Sequence, residues 1–188
     1  MLPALAFAQK SKPASGNVAN VASACDAVSG NLVKNCGFEA APDFANWTQV
    51  PTNVAGCSDL FVDKGATPHT GNNDANFAGA CVGVYDAIKQ TIATVPGVQH
   101  TLSFWLQADP FTTSRDLQVL WNGVKIYDNS TAAPFPYFQV TLTVVGTGND
   151  VLTFQGYNVN AFDDLDDVVL TPNLNQYLSA SWWYWYVL

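Results

Sequence analysis

Glutamate is almost missing from this chain. The 15 acidic residues are 14 Asp and a single Glu, Glu39. Charged residues of both signs make up only 12% of the 188 residues, about half the usual share. Helices favour Glu, Lys, Arg and Leu, so this scarcity, with no segment of helical periodicity ten residues long, excludes a helical fold. Long hydrophobic runs are lacking too: no stretch reaches the roughly 18–20 apolar residues of a membrane-crossing helix. Basic residues are few, with seven Lys plus Arg and a net charge of −8. No segment can track a phosphate backbone or an anionic membrane surface. No two cysteines form a CxxC pair, which argues against a zinc ribbon and a thioredoxin-type site.

What remains is a strand-and-turn composition. Asp, Asn, Thr, Val, Gly and aromatics dominate, and 48% of residues are hydrophobic, enough for one core in a chain of about one domain plus tails. Short strand patterns recur at regular spacing. Leu32-Val33 and Gly37 to Glu39 read as a first strand with a kink, and Trp47 to Val50, Gly56 to Val62 and Ala87 to Ala93 as further strands. In Thr101 to Gln107, Leu102, Phe104 and Leu106 take one face and Ser103, Trp105 and Gln107 the other. Leu117 to Trp121 and Val124 to Tyr127 flank Asn122-Gly123, the strongest short hairpin signal. Phe138 to Val145, Val151 to Gly156 and Leu165 to Leu170 complete eight to ten strands. The pattern predicts an all-β sandwich or barrel.

The four cysteines, Cys25, Cys36, Cys57 and Cys81, are even in number without metal spacing, which suggests two disulfides and an oxidising compartment. Three connectivities are open; Cys25–Cys36 and Cys57–Cys81 are favoured because both close short local loops. The alternative is four buried thiols. Met1 to Gln9 (MLPALAFAQ) looks like the tail of a signal peptide, and Lys10 to Ala24 reads as a linker or arm. The predicted organisation is a signal-like remnant and arm over 1–24, a β-sandwich over 25–172 and a tail over 173–188.

Asn31 to Trp47, Pro68 to Gly71 (PHTG), Gln90 to Leu106, Leu117 to Ile126 and Leu165 to Thr171 (LDDVVLT) occur in a familiar order. In these segments the chain resembles the galactose-binding-like jelly rolls related to carbohydrate-binding modules. It is most similar to bacterial secreted forms found in PEP-CTERM-sorted proteins, although the sorting tail is not seen after Pro172. The resemblance covers about residues 31–172. It implies an antiparallel jelly-roll sandwich and a structural calcium. The ligands it implies are Glu39 of the FE motif, backbone around Thr70 to Asn73, and Asp166. Where relatives carry aromatics, this chain has Asp163 and Asp164, which adds Asp164 to the candidate metal set.

Strand alternation points the same way: with Val168 and Leu170 facing the core, Asp166 should share their face and Asp167 should not. A carboxylate turned inward needs a partner or a metal, and calcium takes six to eight oxygens. Trp47 reads as core. Trp105, Trp121, Tyr127 and Tyr157 are candidate sugar platforms, since aromatic faces stack on pyranose rings. His69 reads as a structural or surface group and His100 as exposed. No His–Asp pairing or activated nucleophile is visible, so catalysis is not expected.

Two functions from different classes follow. The first is a secreted, non-catalytic module that binds extracellular carbohydrate and holds a structural calcium. The alternative is a subunit of an extracellular fibre or surface layer that binds neighbouring copies of itself. Assembly would run through the arm or the tail Ser181 to Leu188, where Trp182, Trp183, Tyr184, Trp185 and Tyr186 are strongly strand-forming. Neither reading has a nucleic-acid partner or a membrane span.

Overall fold

Ten strands form where β-branched and aromatic residues alternate with polar ones. The structure, a computed structural model, describes residues 22–65 and 67–173. Residues 1–21 of the expected arm and 174–188 of the expected tail, including Trp182 to Tyr186, lie outside the described residues. The strands are β1 (Thr48–Val50), β2 (Leu60–Lys64), β3 (Asn73–Phe77), β4 (Asp86–Ala93), β5 (Gln99–Ala108), β6 (Ser114–Trp121), β7 (Val124–Asn129), β8 (Phe135–Val145), β9 (Asn149–Val159) and β10 (Asp163–Pro172). A first sheet has the order β1-β4-β9-β6-β7 and a second the order β2-β3-β10-β5-β8. Every pairing is antiparallel. The expected all-β sandwich is thus the observed architecture.

The core lies between the sheets. Ile88, Leu117, Val119, Leu152 and Phe154 of the first sheet and Phe77, Leu102, Phe104, Leu106, Leu165 and Leu170 of the second are fully buried. Each stabilises the fold by about 1.5–3 kcal/mol of apolar transfer. Phe104 meets Phe154 edge to face across the layers, with centroids 5.2 Å apart. Trp47 packs here as expected, 5.7 Å from Phe38 and 6.0 Å from Phe154. Asn122 and Gly123 carry φ of 53° and 79°, the paired positive values that a two-residue hairpin turn requires.

The first strand read from the sequence does not form. Residues 31–46 form no strand: Asn35 and Phe38 adopt left-handed φ of 50° and 60°, which breaks the extended run twice within four residues. The segment nevertheless docks on the last strand: Leu32 N donates to Leu170 O at 2.9 Å, and Val168 N to Cys36 O at 2.9 Å. The two ends of the sandwich therefore meet through loop-to-strand bonds. Gly37 permits the close approach, since a Cβ there would stand 2.1 Å from Ser23 Oγ. His100 is another correction. It is buried, with Nδ1 3.0 Å from Val98 O, because its position on β5 faces inward with Leu102.

Cys25 is bonded to Cys36 and Cys57 to Cys81, the favoured pairing. Each cross-link constrains the unfolded chain, a stabilisation of about 2–4 kcal/mol in the loop-entropy picture. Replacing Cys57 and Cys81 together by Ser is expected to lower the unfolding free energy by about 2–4 kcal/mol, seen as a lower urea midpoint with a steeper slope, because the released unfolded chain exposes more surface. An unchanged midpoint, or free thiols at either position in the native protein, would refute the cross-link's role.

Candidate functional site

The sandwich presents three polar clusters outside its core. The first surrounds the middle of β10. There the pairing with β5 shifts between Asp166 and Val169, and Asp167 takes φ 48°, the signature of a bulge. The extra residue reverses the alternation. Asp166, opposite Trp105, therefore faces away from the core, while Val168 and Leu170 face into it. This corrects the inward phase read from the sequence, which assumed an unbroken strand.

Asp166 is still buried, beneath the turn that follows β2. Its carboxylate accepts from Thr70 N at 3.0 Å and Asp167 N at 2.6 Å. Burial, with the charges of Asp167 and Asp74 added, pushes its carboxyl up to about 8. Asp167 accepts from Cys25 N at 3.1 Å, Thr70 Oγ1 at 2.7 Å and Ser23 Oγ, and lies 2.7 Å from His69 Nδ1. Burial opposes ionisation of this group, but these hydrogen bonds hold it below the usual carboxylate range.

Glu39 reaches the same turn from the other side. Its Oε1 accepts from Asn72 N at 2.6 Å and Asn73 N at 3.0 Å, and its Oε2 is buried without a hydrogen-bond partner. Burial raises its carboxyl, and the charges of Asp26 and Asp167 add to this.

Glu39 and Asp166 thus both accept from the backbone of one turn, at Asn72 and Asn73 and at Thr70. Asp164 sits one strand step away, within 3.4 Å of Thr67 Oγ1. Among the described residues, the side chains of metal-ligating type that converge within 4.8 Å as a trio are Cys25, Asp26 and Cys36, whose sulfurs form a disulfide. Glu39, Asp164 and Asp166 do not converge as a trio. The orphaned Glu39 Oε2 and the surplus negative charge at the turn nevertheless fit a hard cation held by Glu39, Asp166 and loop oxygens.

The second cluster is the outer face of the second sheet. Asp74, Asn76, Asp164 and Asp166 lie there in adjacent rows of β3 and β10, all fully buried. Tyr137 Oη donates to Asp74 Oδ2 at 3.0 Å, and burial and these carboxylates push its phenol far above the ordinary range. Trp105, a candidate platform, stacks on His69 at 3.8 Å and 15°. One face of its indole is therefore covered by this chain's own imidazole.

The third cluster is the outer face of the first sheet. Leu117, Val119 and Trp121 of β6 point inward, so Asp116 and Gln118 point outward. On β9, Gln155 pairs with Gln118 and Tyr157 with Asp116. Tyr85, just before β4, lies edge to face with Tyr157 at 5.3 Å. Tyr85 Oη donates to Asp116 Oδ2 at 2.6 Å. Gln118 Nε2 donates to the same oxygen at 2.7 Å and lies 3.2 Å from Tyr85 Oη. Gln155 Nε2 donates to Gln118 Oε1 at 2.8 Å. Tyr85, Gln118 and Gln155 are half-buried, whereas Tyr157 and Asp116 are 7% and 8% exposed; solvent therefore reaches this face through Tyr85 and the two glutamines, with exposed Lys89 one row away opposite Thr153.

Of the four aromatics read as sugar platforms, only Tyr157 lies on this open face. Trp121 is a core residue, donating from Nε1 to Val145 O at 3.0 Å. Tyr127 turns inward against Phe104 at 5.7 Å. Both follow from strand phase: Trp121 shares the face of Leu117 and Val119, and Tyr127 pairs with Val119. Sequence reasoning missed Tyr85, Asp116, Gln118 and Gln155. The alternation within β6 could have flagged Asp116 and Gln118; no periodicity marks Tyr85, which lies in a loop.

No protein-family profile and no curated protein matches this chain. Solved structures of similar shape exist, and at their low identity the likeness is one of fold alone. The carbohydrate-binding module TmCBM61, solved with β-1,4-galactotriose, is 20% identical with a TM-score of 0.52, covering 76% of this chain and 99% of the module. The K1 cleaved adhesin domain of Lys-gingipain from Porphyromonas gingivalis W83 is 14% identical with a TM-score of 0.57, covering 69% of this chain and 92% of the domain. The enzymatically active domain of bacteriophage CBA120 tailspike protein 4 is 17% identical with a TM-score of 0.52 over 76% of this chain. The chain spans only 21% of that tailspike domain.

Proposed function

We propose that this chain is an extracellular, non-catalytic module that binds carbohydrate on the outer face of its first sheet. The observation that carries this reading is the Tyr85–Tyr157 pair beside the hydrogen-bonded Asp116, Gln118 and Gln155, on a sheet face that solvent reaches. Aromatic rings offer apolar area for a sugar face, and oriented carboxylate and amide groups meet hydroxyls. The sandwich shape shared with TmCBM61, a module solved with a galactose oligosaccharide, supports the reading. Two disulfides support an oxidising, extracellular setting. Asp116 is held by Tyr85 and Gln118 as a fixed acceptor, an arrangement for recognition. A structural calcium at the Glu39–Asp166 turn is part of the proposal, with the orphaned Glu39 Oε2 as its support.

Affinity electrophoresis through gels containing single polysaccharides tests it. The wild-type protein is expected to be retarded by at least one glycan. Tyr85→Ala, which removes the ring set edge to face with Tyr157 and one donor to Asp116, is expected to weaken retardation at least tenfold, a loss of about 1.4 kcal/mol. Retardation that survives both Tyr85→Ala and Gln118→Ala would move the site elsewhere on the molecule.

A further inference from the structure

Resting on the glycan reading above, we infer that this site selects neutral glycans and rejects those bearing uronate or sulfate groups. The polarity of its hydrogen bonds carries the inference. The O–H of Tyr85 is directed to Asp116 Oδ2 at 2.6 Å. The amide nitrogen of Gln118 serves Asp116 Oδ2 at 2.7 Å and Tyr85 Oη at 3.2 Å. The donors nearest the carboxylate are therefore committed within the protein.

What they leave for a ligand is an acceptor. Asp116 is 8% exposed, its Oδ1 is buried and accepts from no N–H or O–H donor among the described residues, and the carboxyl of Asp128 lies against it. An ionised carboxylate only accepts, and a buried one left unmatched is costly. A sugar hydroxyl supplies the missing O–H. A ring carboxylate or a sulfate ester supplies only further acceptors, and like charge at close range in a partly dry site.

The charges around the site act in the same direction. Asp128 of β7 pairs with Gln118 and so lies on the same face. Lys125 is bound to Asp128. Lys89 lies on the next row, opposite Thr153 rather than Gln155. Arg115, beside Asp116 in sequence, points into the core and bonds Asp163. No cation thus contacts Asp116 among the described residues, and the whole chain carries −8.

The test is a matched panel. Neutral β-1,4-galactan, arabinoxylan and hydroxyethyl cellulose are compared with polygalacturonate, alginate and carboxymethyl cellulose, in 20 mM and 500 mM NaCl. Wild-type protein is expected to bind at least one neutral polymer at least tenfold more tightly than any anionic one in low salt. Asp116→Asn, which keeps the shape but removes the charge, is expected to narrow that ratio by about tenfold; its thermal midpoint is recorded to confirm folding. The wild-type comparison decides the matter even if the variant does not fold. Anionic polymers bound as tightly as neutral ones would overturn the selectivity while leaving the glycan reading in place. Binding to no polymer of either kind would overturn the glycan reading and this inference with it.

Discussion

Replacing Arg115 with methionine is expected to destabilise the protein by about 3–5 kcal/mol, the range for removing one partner of a buried ion pair. Arg115 and Asp163 are both fully buried, with Nε 2.6 Å from Oδ1. The pair joins β6 of one sheet to β10 of the other. The same guanidinium donates from Nη1 to Asn129 Oδ1 at 2.9 Å and Thr131 O at 3.0 Å, and lies 4.9 Å over the Phe135 ring. It therefore also anchors the connection from β7 to β8.

Methionine would keep much of the side-chain volume but leave Asp163 in the core with Asn158 Nδ2, at 3.2 Å, as its remaining donor. Burial already raises the Asp163 carboxyl to about 6 despite Arg115, so without the arginine it would protonate near neutrality. The double variant Arg115→Met with Asp163→Leu is expected to recover most of the loss, because no uncompensated charge remains. Urea denaturation of the wild type, Arg115→Met, Asp163→Leu and the double variant measures this. A single variant losing under 1 kcal/mol, or a double variant no better than the single, would show that the pair does not join the sheets energetically.

In EDTA, thermal stability is expected to peak near pH 4–5 and fall toward pH 8. Asp166 titrates at 3.8 when unfolded and about 8 when folded. Its folded state favours the protonated form, so its contribution is complete below about pH 4 and is lost as pH rises to about 8. Asp163, raised to about 6, acts in the same direction over a narrower window. Asp150 runs the other way. Burial opposes its ionisation, but bonds from Thr147, Thr94 and Asn122 hold it down to about 2. Its contribution is present above about pH 4 and is lost as pH falls toward 2, which sets the acid side of the peak.

The full loss from Asp166 is of order 5 kcal/mol, from a shift of about four units at about 1.4 kcal/mol each. Calcium binding the ionised Asp166 and Glu39 would offset that loss. Millimolar CaCl2 is therefore expected to flatten the fall and raise the midpoint at pH 8, by about 2–4 °C for each kcal/mol. Differential scanning calorimetry from pH 3 to 8, with EDTA and with calcium, provides the measurement. Identical profiles in both would remove the calcium, and stability rising up to pH 8 in EDTA would remove the buried-acid account.

Composition and alternation alone determined the strand content and most of the strand positions. They also pointed to the Asn122-Gly123 hairpin and favoured the local disulfides among three open pairings, because these depend on residues near each other in the chain. The tertiary structure decided which face each strand turns outward. A single bulge at Asp167 reversed the phase of Asp166, and left-handed φ at Asn35 and Phe38 turned an apparent strand into a docked loop. Trp121 and Tyr127 went to the core, since an aromatic on an alternating strand looks the same to sequence whichever face is covered. Tyr85 reached Asp116 from a loop with no periodic signature. Period-two alternation states that neighbours differ in environment; which neighbour is buried is settled only when the second sheet and the loops are packed in place.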